Sequence, residues 1–298
     1  MEFLLYLVVG CVIWATLIER FLFTIRYDDA FVLPKGSPDL VVLHISDVHM
    51  APWQTSKQAF IKELDNKIKP DLVINTGDNL GHKDGVKPVL ESFKDLAVPG
   101  VYVYGSNDLY APMMTNPLSY LMHPSERHRD NQPESALDVE GLANGFKALG
   151  WQDLNNKEAE LVVKGVRLGF IGTDDPHEQR VDLASIAKSK AKLNSSDVLI
   201  GVTHAPYLNV LTAFSDVDAD IVFAGHTHGG QVCWPITGRA LVTNCDLPTK
   251  YARGLNKITL KGKELLINVS AGLGHSIYAP MRFACRPEVR VITLKAKN

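Results

Sequence analysis

Short, unbroken apolar runs punctuate this chain, and several of them end on a polar residue. LVVLHIS (40–46), DLVINT (71–76) and GVYVY (100–104) have the β-rich composition of buried strands. Between them the period changes. Phe60, Leu64 and Ile68 recur at helical spacing before Pro70, and Thr55-Ser56-Lys57-Gln58 has the order of a capping box. Val86, Val89, Leu90 and Phe93 line one face of a second predicted helix. Val139, Leu142, Phe146 and Leu149 line a third, which stops at Gly150. In the second half, AELVVKGVRLGFIG (159–172) predicts a hairpin turning at Lys164-Gly165. DVLIGVTH (197–204), ADIVFAGH (219–226), ELLINVS (264–270) and EVRVITL (288–294) predict further strands. Buried strands alternating with amphipathic helices predict a layered α/β fold.

Two stretches break this pattern. Residues 109–138 hold no sustained period and carry four prolines, and are expected to be an insertion with a short helical piece around Leu118–Met122. At the other extreme, FLLYLVVGCVIWATLI (3–18) is uncharged, and apolar character resumes in FLFTI (21–25) after Glu19-Arg20. The run from 3 to 25 is long enough to span a bilayer if Glu19 and Arg20 pair or reach one interface. Glu2 in place of a basic flank, and no small-residue cleavage site, argue against a removable signal peptide. We therefore expect a hydrophobic membrane anchor over 1–26, spanning or interfacial, rather than a helix packed on the protein's own surface. A Pro/Gly linker over 27–39 and one domain over 40–298 are expected to follow. Arg20 and Arg26 on the C-terminal flank place that domain on the cytoplasmic side.

Composition adds little to this picture. A formal net charge of −2 over 298 residues gives no general attraction to polyanions, and no basic stripe with interleaved aromatics is present, so no nucleic-acid partner is expected. Cys11, Cys233, Cys245 and Cys285 form no CxxC motif and suggest no disulfide framework.

The chemistry gathers at the strand ends. The first strand runs into Asp47-Val48-His49, the second into Gly77-Asp78-Asn79, the third into Gly105-Ser106-Asn107-Asp108. Later strands stop at His204 and at Gly225-His226-Thr227-His228. Ligands of open α/β sheets sit beyond the carboxyl ends of the strands. Any one of these residues alone would pass as a cap, a turn residue or a core histidine. Together, such groups are costly to desolvate without a shared partner, and a metal centre is that partner. Oxygen and nitrogen donors without thiolate suit Mn2+, Fe2+, Zn2+ or Co2+. The set is too large for one four-coordinate zinc and sufficient for two divalent ions sharing a carboxylate.

The series DVH, GDN, GSND, a lone His and GHTHGGQ resembles the signature of the calcineurin-like metallophosphoesterases, D-x-H, G-D, G-N-H, H, G-H-x-H, over roughly residues 40–295. GHTHGGQ and the late NVSAGLGHSIYAPMRFACRPEV are most similar to a membrane-associated phosphodiesterase-like subgroup. Some of its members resemble enzymes cleaving the pyrophosphate of UDP-2,3-diacylglucosamine. The resemblance implies a four-layered αββα sandwich with its metals at the strand ends. It assigns one ion to Asp47, His49 and His228 and the other to Asn107, His204 and His226, with Asp78 bridging. It also implies cleavage of a phosphodiester or pyrophosphate bond by a hydroxide generated at the metals.

Asn79, Arg282 and His275 are the candidate substrate contacts. One departure matters. Where the family has His beside the ligand Asn, this chain has Asp108, so either Asp108 is raised enough to act as an acid beside Asn107, or the leaving group needs little protonation. His123, His128 and His275 are other candidates for the missing imidazole. An insertion beginning just after Asp108 offers Met113, Met114, Leu118, Tyr120, Leu121 and Met122 to a leaving group. With an anchor at the N-terminus, the expected substrate is a membrane-associated or lipid-linked phosphoester or pyrophosphate. The alternatives are a soluble phosphoester cleaved by a merely tethered enzyme, and a non-catalytic scaffold on the same fold.

Overall fold

The computed structural model describes residues 2–112 and 137–297. The apolar N-terminus is one helix, Glu2–Phe21. It is α-helical over Glu2–Ile13, widens to a π turn over Trp14–Ile18 and tightens to a 3-10 turn over Glu19–Phe21. Twenty residues rise about 30 Å, the thickness of a hydrocarbon core. Residues 3–10 are all exposed, so the first two turns are not packed on the body of the protein, whereas Ala15 and Glu19 near its end are buried.

Among the described residues twelve strands follow: β1 Thr24–Leu33, β2 Leu40–Ile45, β3 Leu72–Asn75, β4 Gly100–Tyr102, β5 Trp151–Asp153, β6 Glu158–Val163, β7 Val166–Gly172, β8 Val198–Val202, β9 Ile221–Ala224, β10 Gly254–Leu260, β11 Lys263–Val269 and β12 Glu288–Ala296. They form two six-stranded sheets, ordered β1-β12-β2-β3-β4-β5 and β10-β11-β9-β8-β7-β6. In the first, β2 to β5 run parallel; in the second, β7, β8, β9 and β11 do. Every residue of β3, β8 and β9 is buried, as strands covered on both faces require.

Three apolar layers hold the sandwich together. Leu40, Leu72, Val101, Phe170, Ile200 and Phe223 belong to the layer between the sheets. Phe93 and Phe146, from helices Val86–Phe93 and Val139–Ala148, close the outer face of the first sheet with Trp151. Helices Leu183–Lys192 and Leu208–Asp216 cover the second sheet through Ile186, Leu211 and Phe214. The architecture is the expected four-layered αββα sandwich with an N-terminal apolar helix.

Several local expectations are corrected. Residues 27–33 are not linker. They continue β1, which pairs in parallel with β12 from Thr24 opposite Glu288 onward. Ala30, Val32 and Leu33 enter the core between the sheets, and Asp28 pairs with Arg290. Only the turn beyond Leu33, where the Ser37 N–H meets the Pro34 carbonyl at 3.2 Å, keeps a linker's character. No capping box forms at Thr55, which is itself helical. Instead the Gln54 side chain accepts the Ala51 N–H at 3.0 Å and the Lys57 ammonium at 2.9 Å. The helix expected through Ile68 is two pieces, Thr55–Lys62 and Leu64–Ile68, and the second ends on left-handed Lys69 before Pro70. The helical piece expected near Leu118–Met122 lies outside the described residues.

If β1 belongs to the domain, Leu33→Ala leaves a cavity between the sheets and costs about 2–5 kcal/mol. A shift of the urea midpoint measures this, and a linker residue would shift nothing.

Candidate metal centre

The strand ends that carry Asp47, Asp78, Asn107, His204, His226 and His228 do converge. One donor atom each from Asp47, His49, Asp78 and His228 lies within 4.8 Å of the others. His49 Nε2 stands 3.4 Å from Asp78 Oδ2, His204 Nε2 3.6 Å from Asp78 Oδ1, and His228 Nε2 3.6 Å from Asp47 Oδ1. Asn107 meets the Asp78 carboxylate twice, its side-chain N–H at 2.6 Å from Oδ2 and its backbone N–H at 2.8 Å from Oδ1. The His226 ring lies edge-on to that of His204, centroids 5.2 Å apart.

Backbone conformation makes this convergence possible. Asp47, His49, Asp78, His226 and His228 all have positive φ, between 44° and 68°. Side chains other than glycine rarely adopt that region, and it turns each out of the strand line at functional sites. Close approach supplies the rest: a Cβ on Gly225 would fall 1.9 Å from Ser46 Oγ and 2.5 Å from Asp47 Oδ2, and one on Gly105 2.2 Å from Asp78 Oδ1. Those two positions tolerate no side chain.

The donors fit a divalent ion. Neither ring nitrogen of His49 has a hydrogen-bond partner although the residue is buried, and His204 Nε2 is likewise unpartnered. Buried polar atoms left so are costly unless they bind something. The remaining nitrogens of two candidate ligands are fixed from behind, His204 Nδ1 at 2.7 Å from the Thr76 carbonyl and His226 Nε2 at 3.0 Å from that of Asn244. This leaves His204 Nε2 and His226 Nδ1 for a metal, in the manner of outer-shell support.

Electrostatics points the same way. Burial pushes His49 down to about 4 and His226 and His228 well below their ordinary value, so these imidazoles are neutral, the ligating form. Burial alone would raise Asp78, but His204, His49 and Asn107 hold it below the usual carboxylate range. His204 runs opposite: burial would lower it, yet Asp78, Asp175 and Asp47 push it up to about 9. Three carboxylates acting on one imidazole demand positive charge there.

Other expected roles change. Asp108, considered as an acid, is fully buried and accepts N–H groups of Asn79 at 2.7 Å, Leu80 at 3.2 Å and Gly105 at 3.1 Å, besides the Asn79 amide at 3.2 Å. Burial and Asp78 push its carboxyl up to about 7 against these donors. Asp108 therefore ties two ligand loops together, and its oxygens are already engaged. Asn79 is equally committed, between Asp108 and the Asn75 amide at 2.7 Å, so its side chain is no free phosphate contact.

Arg282 is wholly buried. Its guanidinium donates to the carbonyls of His228 at 3.0 Å, Ala271 at 2.7 Å and Gly272 at 3.2 Å, and also to that of Gly274. It positions His228 rather than a phosphate. His275 is buried beside this loop, Nδ1 at 3.0 Å from the Ser276 carbonyl, and burial pushes it down to about 3. His123 and His128 lie outside the described residues.

Sequence reasoning missed Asp175. It is fully buried, just past the end of β7, with Oδ2 unpartnered, and it acts on His204. The rule applied to the other strand ends would have found it in Thr173-Asp174-Asp175.

Arg282→Met takes a donor from four carbonyls and, since Gln231 and Glu288 N–H groups still reach those of His228 and Gly272, strands those of Ala271 and Gly274, which should lower the stability of the substrate-free protein by about 3 kcal/mol. Denaturant unfolding checks this; a phosphate contact would leave stability unchanged and raise KM alone.

Known proteins resemble this chain over most of its length. The chain is 23% identical over 280 residues to the uncharacterized metallophosphoesterase YkuE of Bacillus subtilis (strain 168), covering 90% of this chain and 83% of that protein. It is 25% identical over 321 residues to the UDP-2,3-diacylglucosamine pyrophosphatase LpxG of Chlamydia muridarum (strain MoPn / Nigg), covering 94% and 92% respectively. Over 282 residues it is 23% identical to a transmembrane protein with metallophosphoesterase domain of Danio rerio, covering 88% of this chain and 55% of that one. The family model for calcineurin-like phosphoesterase matches residues 40–230, a span holding every candidate ligand from Asp47 to His228, and the chain belongs to that family.

Proposed function

We propose that this chain hydrolyses a phosphodiester or pyrophosphate bond in a membrane-associated or lipid-linked substrate, from the cytoplasmic side, using two divalent ions drawn from Mn2+, Fe2+, Zn2+ or Co2+. The observation that carries this reading is the meeting of Asp47, His49, Asp78 and His228 within 4.8 Å, with buried imidazole nitrogens left unpartnered. Asp47, His49 and His228 would hold one ion, and Asn107, His204 and His226 the other, with Asp78 available to both. When bound, such a pair polarises the phosphoryl oxygen and supplies a nucleophile near neutral pH.

The chain's own residues do the positioning. Thr76 and Asn244 set the tautomers of His204 and His226, Arg282 holds the His228 carbonyl, and Asp108 joins the Asp78 loop to the Asn107 turn. Asp108 offers no free oxygen to protonate a leaving group. That favours a leaving group that is already a weak base, as the phosphate released from a pyrophosphate is. His275, beside the Arg282 loop, is the remaining candidate contact to substrate. The apolar helix and the resemblance to LpxG favour a lipid substrate.

Three measurements test this. Elemental analysis of reconstituted protein should give two equivalents of metal, and Asp78→Asn should lose both metal and hydrolysis. A general acid is worth about 10²–10⁴ in rate, so p-nitrophenyl diesters should outpace alkyl diesters by a factor of that order. Equal rates on both would overturn the leaving-group reading. Turnover of lipid pyrophosphates should exceed that of cyclic nucleotides, and the reverse would favour a soluble substrate.

A further inference from the structure

The end of the apolar helix is built into the rim of the metal centre. The Ala15 carbonyl accepts the Arg282 N–H at 3.0 Å. Glu19, buried at 3% exposure, accepts the backbone N–H groups of Ala284 at 2.9 Å and Cys285 at 2.7 Å, and the Trp14 indole N–H at 2.6 Å. The same segment joins a second rim loop: the Cys233 N–H meets the Phe283 carbonyl at 2.9 Å, and the Gln231 amide meets the Ala279 carbonyl at 2.9 Å. A third rim element, the helix after Trp53, stacks Phe60 on Phe23 with centroids 5.2 Å apart. Its Lys57 is within electrostatic reach of both Arg20 and Arg282. Helix end and three rim elements are thus one connected unit.

That unit exposes apolar rings. Trp53 and Trp234 are each 61% exposed, Ile236 97% and Tyr278 42%. Among the described residues beyond β1, Leu241 is the fifth such side chain on these loops, and only Val162 and Leu183 lie elsewhere. Trp and Tyr, with an apolar body and a polar edge, favour the headgroup level of a bilayer. We propose that the rim of the metal centre is itself a bilayer-docking surface, with Trp53, Trp234, Ile236 and Tyr278 entering the headgroup boundary around the emerging helix. The occupant is a lipid bilayer rather than a protein, because the surface is continuous with a helix whose exposed residues have no other solvent to suit them. The site then meets substrate phosphates at headgroup depth. This last consequence rests on the phosphohydrolase reading; the docking does not.

The test uses the full chain in phosphatidylcholine vesicles, with and without bromine on the upper acyl chain, read by tryptophan emission. The chain holds Trp14, Trp53, Trp151 and Trp234, and Trp151 is buried at 3% exposure. Brominated lipid should quench the native protein, and a Trp53→Phe/Trp234→Phe double variant should lose most of the quenched emission, keeping that of Trp14. Ile236→Glu should weaken the quenching of Trp234 with an unchanged unfolding midpoint. Quenched emission equal in native and double-variant protein would overturn the proposal. Asp78→Asn should quench as the native protein does, so loss of hydrolysis and loss of docking are read apart.

Discussion

The Asp78 carboxylate is the constraint on which the centre depends. Its two oxygens face His49 and His204 at 3.4 and 3.6 Å, while both N–H groups of Asn107 hold it from the side. One short side chain can touch residues from three strand ends only if the chain leaves each strand abruptly. The left-handed backbone at Asp47, His49, Asp78, His226 and His228 does this, at a cost on the order of 1–3 kcal/mol each. Nothing in the local sequence favours that conformation at a histidine. It persists because the loops are cross-tied: the Asp47, His49 and Met50 N–H groups meet the Gly77, Asp78 and Asn79 carbonyls at 2.9, 2.9 and 2.8 Å. The His226 N–H reaches Asp47 at 3.1 Å and closes the link between the two sheets.

Beneath the ligands a buried polar chain carries that order across the sandwich. Arg290 donates to the Asn268 side chain at 2.8 Å, and Asn268 meets His44 Nδ1 at 2.8 Å. His44 Nε2 meets Thr76 Oγ1 at 2.9 Å, Thr76 donates to Ser46 Oγ at 2.7 Å, and Ser46 donates to Asp47. A satisfied network of this kind stiffens its members, whereas each would be costly alone. Through Arg290 it ends at Asp28 on β1, so the strand just after the apolar helix anchors a line that ends on a candidate metal ligand.

The sequence made the central strands and the candidate ligand set legible for a common reason. Parallel strands covered on both faces must be uniformly apolar, so a polar residue at their ends stands out, and Asp47, Asp78, His204 and His226 did. Edge elements lack that contrast. β1 carries Arg26, Asp28 and Asp29 and runs into Pro34-Lys35-Gly36, which reads as linker, because an edge strand is expected to be charged and only Ala30, Val32 and Leu33 turn inward. Arg282, Asn79 and Asp108 looked like substrate-facing groups for a related reason. Residue type reveals that a side chain makes strong polar contacts, but only packing reveals whether its partners are substrate atoms or the protein's own backbone. Glu19 is the sharpest case. A charge interrupting an apolar run suggested a residue at the membrane surface, and it is instead a buried acceptor for the Ala284 and Cys285 N–H groups.

In the proposed reading, that position of Glu19 bears on how membrane and chemistry are joined. A tethered enzyme needs only a leash, and a leash would leave the last helical turn free of the catalytic loops. Here the turn is fixed by a buried carboxylate to the segment whose Arg282 holds the His228 carbonyl, so the orientation of the site relative to the helix is set by hydrogen bonds. Burying Glu19 costs desolvation of its charge, which the two backbone donors and the Trp14 indole offset only in this one geometry. Fixing the site to its anchor gains nothing if the substrate arrives from bulk water in any orientation. It matters when the substrate is itself oriented, with its phosphate at a known depth below a planar surface.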